Sequence, residues 1–190
     1  NGDWTANFDC IVPRVAVDGP TPVPGRASTY GHGLFGSASE IFNSDIQQEL
    51  ANTHGFTFCA TDEIGMSGAD VSNTATTILP DLSKFRMLAD RLHQGLLNGL
   101  YLGRLMIHPD GFASDVAFHA DGATLGSPPV IDDTELYYEG SSQGGIFGGA
   151  LTAIAPDFTK AVLNVPAMNY SVLLPRSIDY DPFATIINTV

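Results

Sequence analysis

Short apolar stretches alternate along this chain with segments of helical spacing, and glycine- or proline-rich turns separate them. Residues 5–17 carry strand-forming side chains, and the run 19–25 closes them with an exposed turn. Residues 27–30 predict a short strand that runs into Gly31-His32-Gly33-Leu34-Phe35-Gly36. Beyond it, Ile41, Phe42, Ile46 and Leu50 are spaced for one face of a helix over 39–51. Residues 56–60 predict another strand, ending in a polar loop over 61–68 at its carboxyl end, where α/β proteins build their sites. A long helix is expected over 83–106, with Phe85, Leu88, Leu92, Leu96 and Leu100 turned to the sheet. Residues 108–129 lack periodicity and carry several glycines and prolines, so they read as an inserted loop that shapes the pocket together with 61–68. Strands at 136–139 and 161–165 flank a helix of small residues at 146–154, and the last twenty residues mix apolar side chains with Pro175 and Pro182 before a closing helix.

The alternation predicts an α/β protein with a mainly parallel sheet, and 190 residues suit a single domain, 1–190. No apolar run approaches the ~18 residues of a membrane span, and Asn1-Gly2-Asp3-Trp4 has neither the basic end nor the apolar core of a signal peptide. The net charge of -13, from 21 acidic and 8 basic residues, argues against nucleic acid as a partner and for a neutral substrate. Cys10 and Cys59, the only cysteines, exclude a four-cysteine zinc site. Each lies in an expected strand, where buried thiols are common; a bridge between them would require an oxidising compartment.

Candidate chemistry centres on Gly140-Ser141-Ser142-Gln143-Gly144, which fits G-x-S-x-G between a strand and a helix. Such a turn needs small flanking residues, here Gly140 and Gly144, and lifts the hydroxyl of the middle serine above the sheet edge. Ser142 is the expected nucleophile, with Ser141 packed beside it. On its own the motif would be an ordinary glycine turn; the strand-turn-helix setting gives it weight. Attack on an acyl group creates an oxyanion that aimed backbone N–H groups stabilise. The residue after the nucleophile, Gln143, supplies one, and the loop containing Gly33 supplies the other, expected at Leu34 N–H. The plainer alternative makes that loop a glycine turn with His32 as a hydrogen-bonded structural histidine.

Together, Tyr-Gly-His-Gly-Leu-Phe-Gly at 30–36 and Gly-Ser-Ser-Gln-Gly-Gly at 140–145 resemble α/β-hydrolases of the bacterial lipase and esterase type. The resemblance covers strands three to six of that family's eight-stranded pattern, with an N-terminal hairpin before them. It implies carboxylic ester hydrolysis through an acyl-enzyme, with Ser142 as nucleophile, Leu34 and Gln143 as oxyanion donors, and no metal or organic cofactor. The family's order of serine, acid, histidine exposes a departure, because all five histidines (His32, His54, His93, His108 and His119) precede Ser142. The chain is therefore expected to stop before strands seven and eight, with a C-terminal segment of the same precursor as the partner that brings the acid and histidine. Asp179 and Asp181 are expected in a cap or a solvated turn. Two alternatives are an inactive binding protein that kept the turn and an enzyme that recruits His119 or His108 as base. Serine peptidase and thioesterase chemistry would use the same groups. The expected location is secreted or periplasmic.

Overall fold

The computed structural model describes residues 2–167 and 169–187. Strands β1 (Phe8–Ile11), β2 (Gly25–Gly31), β3 (Phe56–Thr61), β4 (Ile131–Ser141) and β5 (Phe158–Asn164) form one sheet in the order β1-β3-β2-β4-β5. β1 is antiparallel to β3, and every other pairing is parallel. Helices α1 (Glu40–Asn43), α2 (Asp45–His54), α3 (Val71–Asn73), α4 (Arg86–Ile107), α5 (Gln143–Ile154), α6 (Tyr170–Leu173) and α7 (Asp181–Ile187) complete the expected α/β architecture.

Alternation along the strands feeds two cores. Phe58 and Ala60 of β3 pack with Ile41 and Ala51 on one face, while Cys59, Ala27 and Leu136 pack beneath Leu102 and Met106 of α4 on the other. From β2 the chain goes to β3 on one side, and from β4 it goes to β5 on the other. The carboxyl ends of β2 and β4 therefore flank the point where strand order reverses, the crevice in which open α/β sheets bind ligands.

Several elements differ from the sequence pattern. The helix expected over 39–51 breaks at Ser44, whose backbone is extended and whose side chain accepts the Gln47 N–H as an N-cap. The break turns Phe42 and Ile46 outward, and both are exposed. The long helix begins at Arg86, leaves Phe85 exposed, buries Leu88 of the expected stripe, and makes its closest approaches through Gly95, Gly99 and Gly103 while Leu92, Leu96 and Leu100 are half-buried. A Cβ on Gly103 would lie 2.8 Å from Leu136, so glycine is what lets α4 settle on the sheet. Only one N-terminal strand is found among the described residues where a hairpin was expected.

The inserted loop at 108–129 also lies elsewhere than expected. Phe118 O accepts the Val130 N–H, and Val130 O accepts the Gly25 N–H and the Thr57 hydroxyl, so the loop is fastened at the amino ends of β2, β3 and β4. Ser142 stands at the opposite end of β4. The loop does not shape the crevice there, because the length of a strand separates them.

Cys10 and Cys59 face each other in the β1–β3 register and form a disulfide. It fastens the one antiparallel strand among the described residues to the parallel sheet. Their separation of 49 residues gives a chain-entropy contribution of ~4 kcal/mol. Cys10→Ala/Cys59→Ala should therefore lose about 2–4 kcal/mol in equilibrium urea unfolding, and reductant should not lower it further. An unchanged unfolding midpoint would show that strand pairing alone holds β1.

Candidate active site

The loop at 31–36 and the turn at 140–144 leave neighbouring strands at the same level, because Gly31 is paired with Gly140 across β2 and β4. A Cβ on Gly144 would lie 2.1 Å from Gly31 O, and one on Gly140 would lie 2.5 Å from Gly144 O. Both positions are therefore closed to any side chain. Between them Ser142 has φ 56° and ψ -115°, a strained conformation for a residue with a Cβ, and it is exposed. Its N–H donates to Asn164 O at 3.1 Å, and its carbonyl accepts the first bond of α5 from Ile146 N–H. Ser141 packs beside the turn, its Oγ accepting from Asn164 Nδ2 at 2.8 Å.

Gln143 is the first residue of α5, so its N–H falls among the donors that a helix leaves unpaired at its positive end. Leu34 N–H likewise has no acceptor among the described residues, although its neighbours do: Gly33 N–H donates to Glu40, Phe35 N–H to Met66 O and Gly36 N–H to Gly33 O. Fully buried His32 organises this loop. Its Nε2 accepts the Glu63 N–H at 2.9 Å, which places the proton on Nδ1, and Nδ1 donates to Gly33 O at 2.7 Å. Both ring nitrogens are thus spent on backbone, as the plainer reading of His32 required. The loop after β3 is held by Asp70, which accepts from Gly65 N–H, the Ser67 N–H and hydroxyl, and Arg91 Nε. Burial opposes the charge on Asp70, but these donors outweigh it and hold the carboxyl below its usual range.

None of the five histidines is hydrogen-bonded to Ser142 among the described residues. His119 bridges to Pro129 at the amino end of β4, so the length of that strand separates it from Ser142. Its ring contacts the carbonyls of Ser127 and Ala113, which raise its pKa as a structural pair of acceptors would. His108 caps α4 at the same end. Neither can serve Ser142 as base. Asp179 and Asp181 are exposed, in the helical segment 170–187 that follows β5.

Two residues at the crevice had escaped the sequence reading. Glu63, only 4 % exposed, lies under Gly31; its Oε2 has no partner among the described residues, and its Oε1 is 3.4 Å from the Tyr138 hydroxyl. Tyr138 gives its own proton to Gly144 O at 2.6 Å, bracing the turn from below. Burial pushes the Glu63 carboxyl well above its ordinary value, against the Tyr138 hydrogen bond and with the charge of Glu40 adding to the shift. Tyr170 reaches in from α6 and donates to the Gln143 side-chain oxygen; burial, with the charge of Glu63, pushes its hydroxyl up to about 12. An acidic residue just past an apolar strand could have pointed to Glu63, whereas nothing in the local pattern marks Tyr170.

No protein-family profile matches the chain. No curated protein sequence matches it either. Among solved structures it is similar to acetyl xylan esterase 1 from Thermoanaerobacterium sp. JW/SL YS485, with a TM-score of 0.55 and 19% identity over 96% of this chain and 52% of that one. The chain thus spans about half the length of this neighbour. With its sheet order, the likeness shows an α/β-hydrolase-type fold. Among the described residues no helix is long and apolar enough to cross a membrane, and no group of three or more His, Cys, Asp or Glu could hold a metal ion. The disulfide is consistent with an oxidising compartment.

The environment of Glu63 makes stability depend on pH. With its folded-state pKa raised above the ordinary 4.5, the unfolded chain ionises first, so the contribution of Glu63 is complete below pH 4.5 and is lost as pH rises through the folded pKa. Glu63→Gln keeps the shape and cannot ionise. Its melting temperature should exceed that of wild type by more at pH 8 than at pH 4; an equal difference at both would mean that Glu63 is not held uncharged.

Proposed function

We propose that this chain carries the nucleophile and oxyanion hole of a serine hydrolase that cleaves carboxylic esters through an acyl-enzyme. The observation that carries the reading is Ser142 itself, exposed at a helix N-terminus on strained backbone, followed by Gln143 N–H and level with the loop that carries Leu34 N–H, neither of which has an acceptor among the described residues. Strain of this kind costs roughly 1–3 kcal/mol and persists where the surrounding structure dictates it. Here the hydroxyl oxygen bonds to the acyl carbon as a histidine takes its proton, and Leu34 and Gln143 hold the oxyanion. The ester C–O bond then breaks, the histidine returns the proton to the leaving alcohol, and water releases the acid by the same steps. The esterase named in the structural comparison supports ester over amide or thioester substrates, and the acidic chain favours a neutral one.

The acid and histidine are assigned to a C-terminal segment of the same precursor, the proposed partner of residues 1–190. The edge strand β5 supports this, since it has no neighbour on its outer side among the described residues and is mostly exposed. So does the sheet face around Phe56, Tyr137 and Val162, which carries an open groove of about 340 Å³. The disulfide supports a secreted or periplasmic location.

A fluorophosphonate probe should label the complete enzyme and fail to label Ser142→Ala; persistent labelling would remove Ser142 from the mechanism. Leu34→Pro deletes one oxyanion donor and should lower turnover roughly 100-fold or more in folded enzyme. Full turnover would mean that the second donor lies elsewhere.

Residues 1–190 alone should not hydrolyse a p-nitrophenyl ester, and supplying the C-terminal segment should restore hydrolysis. Inactivity in the presence of that segment would favour a binding protein that kept the fold without the chemistry.

A further inference from the structure

The segment 170–187 folds back over the loop at 31–36 and with it lines a half-open apolar cavity of about 210 Å³. Its walls come from three places. Leu34 and Phe35 belong to the oxyanion loop, Leu79 and Leu88 to the connection and helix after β3, and Tyr170 and Phe183 to the segment above. Phe35 is held at φ 55°, and its ring meets that of Phe183 at 5.5 Å, so the residue after the proposed second donor is turned to build this wall. Tyr170 is hydrogen-bonded to Gln143, the residue carrying the proposed first donor. Both oxyanion donors are therefore in direct contact with residues that line one cavity.

The lining decides what can enter it. No Lys, Arg or His lines the cavity, so nothing there would pair with an anionic group. Of the polar groups on its lining residues, Thr74 Oγ1 makes no hydrogen bond among the described residues, the Tyr170 hydroxyl is spent on Gln143, Tyr180 is half-buried, and Asp179 is exposed at the rim. Sugar recognition would require a set of convergent donors and acceptors that these walls lack. Hydrocarbon fits them.

Resting on the ester-hydrolase reading above, we propose that this cavity is the acyl pocket and that the enzyme prefers straight-chain acyl groups of medium length. At ~30 Å³ for each water-sized group, the space holds about seven methylene-sized units, which corresponds to acyl chains of roughly six to eight carbons. An acetyl group, as in the name of the structural neighbour, would leave most of the wall without contact.

The test is kcat/KM of the complete enzyme on p-nitrophenyl esters from acetate to palmitate. Each methylene removed from water is expected to raise it roughly fourfold until the cavity is full, giving a maximum near hexanoate or octanoate and a fall for longer chains. Leu88→Trp fills the cavity from α4 and should lower the octanoate-to-acetate ratio at least tenfold; Leu79→Phe reads the same shift from another wall if the first variant does not fold. A wild-type profile that is flat, or highest at acetate, would overturn the acyl pocket and leave the ester-hydrolase reading standing. So would an unchanged ratio in a folded variant. No hydrolysis of any ester, acetate included, would instead overturn the ester-hydrolase reading and the pocket with it.

Discussion

Everything at the crevice depends on two backbones approaching as closely as backbones can. Gly31 O occupies the space where a side chain on Gly144 would begin, and Gly31 itself has Tyr138, Glu63 and Gly144 around the position of its absent Cβ. The close approach locks the carboxyl end of β2 against the first turn of α5. It leaves Ser142 with no relaxed conformation, since its flanking residues are held by Tyr138 from below and by Asn164 from β5. Parallel pairing brings the Gly31 loop and the Ser142 turn to one level, and the reversal of strand order between β2 and β4 keeps the crevice above them clear of crossing connections. The exposed serine and the two free N–H groups follow from that geometry.

What could be read in the sequence was what short-range chemistry decides. Strand and helix order, the glycine loop and the strand-turn-helix setting of Ser142 depend on alternation and on glycine placement, and these survive in the structure with boundaries shifted by a few residues. Where tertiary contacts decide, the pattern misled. Leu92, Leu96 and Leu100 form a convincing stripe, yet they are only half-buried, and the close approaches of α4 are made by Gly95 to Ile64 and Phe147, by Gly99 to Leu151 and by Gly103 to Leu136. Ser44 competes with its own helix by capping the next one, which periodicity in Ile41, Phe42 and Ile46 cannot register. The bridge between Cys10 and Cys59 depends on a strand register that two thiols 49 residues apart do not announce. For residues 108–129, glycine and proline content identified a loop correctly but carried no information about which end of the sheet it would join.

On the proposed reading, the chain holds one half of a reaction. That half comprises the nucleophilic hydroxyl and the N–H donors that would polarise the acyl carbonyl, set at a helix N-terminus and at the carboxyl ends of β2 and β4. The basic half is missing from this geometry, for the buried histidines are committed, His32 to the oxyanion loop and His119 to the far end of the sheet. Such a division follows from the fold. Groups built from backbone are fixed by strands at the centre of the sheet, whereas on the proposed reading an acid and a histidine would reach Ser142 from the β5 side, where the sheet has an open edge among the described residues.

Glu63 fits this division because of its charge state. A carboxylate beneath Gly31 and Gly144 would face the place where Leu34 and Gln143 are proposed to hold an oxyanion, and two negative charges at close range in a poorly solvated crevice would repel strongly. Burial solves the conflict by disfavouring the ionised form, so Glu63 remains an uncharged acid over a wider pH range than an exposed one. Its Oε1 lies 3.4 Å from the Tyr138 hydroxyl, which donates at 2.6 Å to Gly144 O. The polar chain Glu63–Tyr138–Gly144 then braces the strained turn without adding negative charge to it, because the Tyr138 hydroxyl gives the Gly144 carbonyl a donor in addition to the helical bond of α5.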